Sequence, residues 1–234
     1  MATLGSQMEC WICGADADSG EHRVKASDMR RFFGKITPAS PVFFHSDDRR
    51  NIRIHSAKSD KLKTSKVICQ RCNDTHTAKY DDAWTLLSRS ILAGWENVKK
   101  TKRFKLQTAF PGKVGQQSIN FHLYFVKLFG CRIADENMPI DLSHFAKCVL
   151  EQHPHSGIYL SFNMRNIHSK SGLYVGISEV HGKEYGGVCE AATWYYSLGE
   201  LDVQVSWSKE TPIRNVPYAW HPESGGKIIK FRQR

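Results

Sequence analysis

The sequence predicts an α+β protein in two parts. Residues 1–105 read as a small zinc-stabilised module, and residues 106–234 as an α+β domain with an antiparallel sheet. Three observations carry this reading. Two Cys-x-x-Cys pairs, Cys10/Cys13 and Cys69/Cys72, bracket the N-terminal part. A strong helical period follows the second pair, and a series of β-rich runs separated by turn residues fills the C-terminal part.

The elements follow in order. Residues 27–34 read as a short helix with Ser27 as its N-cap and Gly34 at its end. Val42–His45 and Asn51–His55 read as two strands of a hairpin whose turn holds Asp47 and Asp48. Residues 74–98 read as one helix, with Ala83, Trp84, Leu87, Ile91 and Trp95 forming its apolar face. A basic connector over 99–115 contains Pro111-Gly112. Beyond it, Phe121, Tyr124, Phe125, Leu128 and Phe129 recur at helical spacing over Ile119–Phe129, and a further helix starts at Asp141 or Ser143 and runs to about Glu151. Strands are expected over Ile158–Phe162, Leu173–Val180, Val188–Ser197, Leu201–Ser208 and Lys227–Phe231, with Leu198-Gly199-Glu200 as a tight turn.

Composition narrows the class. The chain has 234 residues, 41% hydrophobic and 24% charged, which is globular composition and argues against wholesale disorder. It has no apolar run of the roughly 18–20 residues that a membrane helix needs, and Met1–Glu9 lacks a signal-peptide core. The expectation is a soluble cytoplasmic protein with no membrane partner. In a reducing compartment, two Cys-x-x-Cys pairs are better read as one tetrahedral zinc site than as disulfides. Cys131, Cys148 and Cys189 then read as buried apolar residues.

The charge is unevenly placed. Of the formal net charge of +10, residues 1–110 carry +8, from 20 Lys+Arg against 12 Asp+Glu. Arg30, Arg31, Arg49, Arg50, Arg53, Lys61, Lys63 and Arg71 lie between the cysteine pairs or within the second. Basic residues concentrated on a zinc-stabilised module suit a polyanion, nucleic acid first among them and DNA as the expected polymer.

Within this basic part stands a chemical constellation. Glu21-His22 lies between the pairs, and Asn73 follows Cys72 directly. A carboxylate beside a histidine offers a hard oxygen ligand for Mg²⁺ or Mn²⁺ and a candidate general base. Asn73, at a helix start fixed by the zinc site, offers a second oxygen. His76, about one helical turn beyond Asn73, is a further candidate ligand or phosphate contact.

The order Cys-x-x-Cys, Glu-His, Cys-x-x-Cys-Asn resembles the HNH (ββα-metal, His-Me finger) endonuclease superfamily, in its zinc-knuckle type similar to phage endonuclease VII. The resemblance covers about residues 8–98. It implies an HNH-like module with Cys10, Cys13, Cys69 and Cys72 as structural zinc ligands. It also implies Glu21 and Asn73 as ligands of a catalytic divalent metal, and His22, on a short hairpin, as general base for phosphodiester hydrolysis. Glu21 stands where the family more often has Asp, Lys25 where it has proline, and Thr64 where it has a middle Asn. These departures keep a second reading open, a catalytically inactive zinc-binding nucleic-acid module. A third is a protein-interaction domain in which zinc is purely structural. Residues 106–234 carry no motif that names a chemistry; target selection, homo-oligomerisation or a protein contact are the roles expected of them.

Overall fold

The computed structural model describes residues 8–46, 50–166, 174–210, 218–224 and 226–234. It is a mixed α+β structure. The N-terminal part contains helix α1 (Ala26–Phe33) and an antiparallel pair of short strands, β1 (Val42–Phe44) and β2 (Ile52–Ile54). Gly34 ends α1 at φ +68°, as its lack of Cβ allows. The helix starts at Ala26 rather than after Ser27, and no side chain caps it. Asp47 and Asp48, expected in the hairpin turn, lie outside the described residues, as does Arg49.

The single helix expected over 74–98 is three segments. A π-helical segment spans Arg71–His76, then α2 runs Ala78–Ala93, and α3 runs Trp95–Thr101. The cause of the first break lies at the second cysteine pair. The Cys72 amide donates to the Cys69 Sγ, and the Thr77 hydroxyl donates to the carbonyls of Cys72 and Asn73 at 2.9 and 3.0 Å. These bonds replace regular i to i−4 pairing, the usual way a side chain unwinds or widens a helix. Gly94 makes the second break.

The connector over 99–115 holds β3 (Arg103–Lys105) and the one-turn α4 (Leu106–Ala109). The next helix, α5, runs Val114–Asp135, longer at both ends than the apolar period indicates. Sixteen of its 22 residues are buried. Helix α6 (Ser143–Glu151) follows, with the Ser143 amide bonded to Asp141 Oδ1 at 3.0 Å.

The strands β4 (Ile158–Met164), β5 (Val175–Ile177), β6 (His181–Tyr185), β7 (Val188–Leu198), β8 (Leu201–Ser208) and β9 (Ile228–Gln233) complete the fold. They form a sheet in the order β3-β9-β4-β8-β7-β5, with β6 also paired to β7. All pairings are antiparallel except β4 with β9. The β7–β8 hairpin turns on Gly199-Glu200, with Gly199 at φ +61°. Of the expected strand Leu173–Val180, only Val175–Ile177 is extended among the described residues, and β6 is a strand that the sequence pattern did not announce.

Helix α5 is the spine of the molecule. It packs along α2 and α6, and its aromatic residues meet both the sheet and α2. Trp84 of α2 stacks on Tyr124 at 5.7 Å between ring centroids and meets Phe125 and Tyr196 edge-on. One apolar cluster runs from Cys10 through α5 to Phe231. Cys131, Cys148 and Cys189 are buried in it, as their apolar character predicts. No helix among the described residues is long and apolar enough to cross a membrane.

Candidate functional site

The two cysteine pairs meet. The Sγ atoms of Cys10, Cys13, Cys69 and Cys72 all lie within 4.8 Å of one another, with Cys13 and Cys69 at 3.7 Å. Tetrahedral zinc at the usual Zn–S length of about 2.3 Å places its sulfurs about 3.8 Å apart. This four-sulfur cluster can therefore hold a structural zinc ion. Local structure builds it. Gly14, at φ +74°, closes the first knuckle by donating its amide to the Cys10 carbonyl. The second knuckle is brought alongside by a bridge between Ser19 and Ile68 and by the Trp11 amide on the Val67 carbonyl.

Glu21-His22 is anchored just beyond the first knuckle. His22 bridges Lys63, the Thr64 amide donates to the Glu21 carbonyl, and the Glu21 amide donates to the Thr64 hydroxyl at 3.0 Å. Gly20 makes this approach feasible, because a Cβ there would collide with the Thr64 carbonyl oxygen. Thus Glu21-His22 pairs with a segment some forty residues downstream rather than with an adjacent hairpin partner. Across from it, the π-helical segment carries Asn73, whose amide nitrogen donates to the Ser19 hydroxyl at 3.0 Å.

The structure brings Glu21, His22 and Asn73 to the lining of one shallow concavity of about 350 Å³, with Arg30, Asp81 and Lys127 beside them. Lys25 and the acids Asp74 and Asp82 also line it. Burial, reinforced by Lys63, Lys127 and Arg30, holds the His22 imidazole below its ordinary pKa, so the ring is neutral at neutral pH. Its Nε2 is shielded and has no hydrogen-bond partner among the described residues.

Glu21 is not free in this concavity. Lys127, from the middle of α5 and 1% exposed, sets its ammonium 2.7 Å from Glu21 Oε2 and 2.8 Å from Asp81 Oδ2. Lys25 reaches the other oxygen of Asp81 at 3.3 Å. Burial disfavours the charged form of Asp81, yet Lys127 and Lys25 outweigh it and keep its carboxyl below the usual range. Burial also opposes the Lys127 charge, and Asp81 and Glu21 more than offset it, raising its pKa far above the ordinary lysine value. Burial pushes Glu21 upward, with Lys127 opposing.

The other sequence-named residues are more dispersed. His76 is exposed on the π-helical segment and does not line the concavity. Arg30, Arg50, Arg53, Lys61 and Arg71 are exposed, Arg31 is tied to Asp28 and Ser88, and Lys63 pairs with Asp60 at 2.8 Å. Gly20, Asp81 and Lys127 escaped the sequence reading, and Thr64 entered it only as a departure from the family pattern. Lys127 had one visible signal, a lysine between Val126 and Leu128 in a helix apolar on almost every side. No family model, curated protein or solved structure matches the chain, so the likeness to HNH endonucleases rests on these residues alone.

Proposed function

We propose that this protein is an HNH-type hydrolase of nucleic-acid phosphodiester bonds, acting on DNA. The observation that carries the reading is the convergence of the adjacent pair Glu21-His22 with Asn73, some fifty residues further along the chain, on one concavity that Arg30 and Lys25 also line. In this reading neutral His22 removes a proton from the attacking water, whose oxygen then bonds to phosphorus as the bridging ester oxygen departs. Arg30 and the exposed Arg50, Arg53, Lys61 and Arg71 attract the phosphate backbone, so affinity falls steeply with salt. Zinc at the four cysteines would be structural and would fix the position of Asn73.

The resemblance also calls for Mg²⁺ or Mn²⁺ at Glu21 and Asn73. That donor set does not fit a divalent ion as it stands, because its one carboxylate already holds the buried Lys127 ammonium. The same ion pair favours a second reading, a zinc-stabilised nucleic-acid-binding module without turnover.

Nicking of supercoiled plasmid separates the readings. We expect His22→Ala to lower nicking by a factor of at least about 10² while zinc content and DNA affinity stay as in the parent protein. Parent protein that binds DNA but nicks none, with or without added divalent metal, would establish the second reading. Absence of nucleic-acid binding even at low salt would leave a protein-interaction role.

A further inference from the structure

The Glu21 carboxylate has a cation of its own. We propose that the Lys127 ammonium is the resident cation of this site, standing where the HNH resemblance would put a divalent metal. The activity arm of this inference rests on the hydrolase reading; the metal-binding arm does not.

Three observations lead to it. Lys127 lies among the fully buried residues of α5, at 1% exposure, where an unpaired ammonium is costly. Its two partners, at 2.7 and 2.8 Å, come from the Glu21-His22 segment and from α2, so one side chain joins three elements of the site. The charge within this ion-pair cluster is also matched. Glu21 and Asp81 supply two negative charges, and Lys127 and Lys25 supply two positive ones.

A divalent ion bound to Glu21 at about 2.1 Å would be crowded against an ammonium on the same carboxylate. Like charges at that separation repel strongly in a poorly solvated place. Glu21 and Asp81 are already matched by Lys127 and Lys25, and the other acids that line the concavity, Asp74 and Asp82, are exposed to water, which screens them. A divalent ion at Glu21 therefore competes with Lys127, and the geometry assigns the Oε2 oxygen to Lys127. Lys127 is a positioning residue in this arrangement. It holds Glu21 and keeps a fixed positive potential beside His22.

Mn²⁺ binding, followed by electron paramagnetic resonance on the full zinc-loaded chain, tests this directly. Parent protein and Glu21→Gln should bind Mn²⁺ alike. Lys127→Met should gain one Mn²⁺ per chain, and the double variant with Glu21→Gln should lose it. Parent protein with a Mn²⁺ site that Glu21→Gln removes would overturn the inference, as would folded Lys127→Met with no gain. If Lys127→Met does not fold, the comparison of parent with Glu21→Gln decides. In the nicking assay, cleavage should survive a chelator while zinc stays at one per chain, and Lys127→Arg should retain more of it than Lys127→Met. Cleavage that requires added Mg²⁺ or Mn²⁺ overturns the Lys127 inference and leaves the hydrolase reading intact. Absence of nicking under every condition removes the hydrolase reading, and the Mn²⁺ measurement still decides the role of Lys127.

Discussion

Residues 8–76 and residues 103–233 hold their shape in different ways. Among its described residues the first region has one eight-residue helix and two three-residue strands as its regular α and β elements, with four cysteines gathered at one point. The second has strands of up to 11 residues and a 22-residue helix buried along most of its length. Apolar burial is distributed over many contacts and weakens gradually when one is removed. A four-ligand metal site is concentrated, because losing a single ligand forfeits most of the metal's contribution at once, leaving the region only its share of the apolar cluster. The two regions meet at α5. There the Trp11 ring covers Gly130, Trp11 Nε1 donates to Cys131 Sγ, Arg23 pairs with Asp135 at 2.7 Å, and Lys127 reaches Glu21.

The largest expected effect breaks this contrast at the cysteines. A structural zinc contributes on the order of 10–16 kcal/mol in small zinc-dependent folds. Stripping it, or substituting Cys72→Ser, should expose the amides of residues 8–76 to hydrogen exchange while β4, β7 and β8 stay protected. Equal loss of protection in both regions would show that they unfold as one unit.

Acid should act on the second region next. Burial holds His122 and His155 at pKa values of about 3, below the ordinary histidine value of about 6.5. The unfolded chain therefore takes up these protons first as pH falls, so their stabilising contribution is complete above pH 6.5 and is lost between 6.5 and 3. At pH 5.5 the loss is about 1.4 kcal/mol for each ring. Denaturant midpoints of the sheet, read as a function of pH, should fall over this window, and His122→Gln should flatten the slope. A slope unchanged by that substitution would exclude His122 as its source.

The smallest effect concerns the seam. A Cβ at Gly130 would lie 2.5 Å from the Trp11 ring, so Gly130→Ala should cost about 1–3 kcal/mol. Thermal melting with zinc release as a second probe should show the zinc region loosening first. A melting temperature equal to that of the parent would mean that Trp11 shifts freely, and that the seam is softer than the packing indicates.

Local signals account for what was legible. Gly34 marked the end of α1, Gly199 marked the β7–β8 turn, and the cysteine spacing marked the sulfur cluster, each through a preference of one or a few adjacent residues. The break at Thr77 was not legible, because it depends on hydroxyl bonds to carbonyls freed by the knuckle. β3 and β6 were missed because they are short, and their pairings with β9 and β7 supply what their own sequences do not. In the candidate site, Glu21, His22 and Asn73 stood out by their spacing around the cysteines. Lys127 and Asp81 did not, since their partners lie on other elements.

By itself, then, the sequence determined the kinds of element, the four sulfur donors and the concentration of basic charge in the N-terminal half. These are properties of side-chain type and near-neighbour spacing, which act before the chain is folded. Only the tertiary structure decided which cation Glu21 meets, why Gly20 and Gly130 lack side chains, and which strands flank one another. Each of those depends on groups separated by tens of residues or more, and their distances come into being when α5 packs between the zinc region and the sheet.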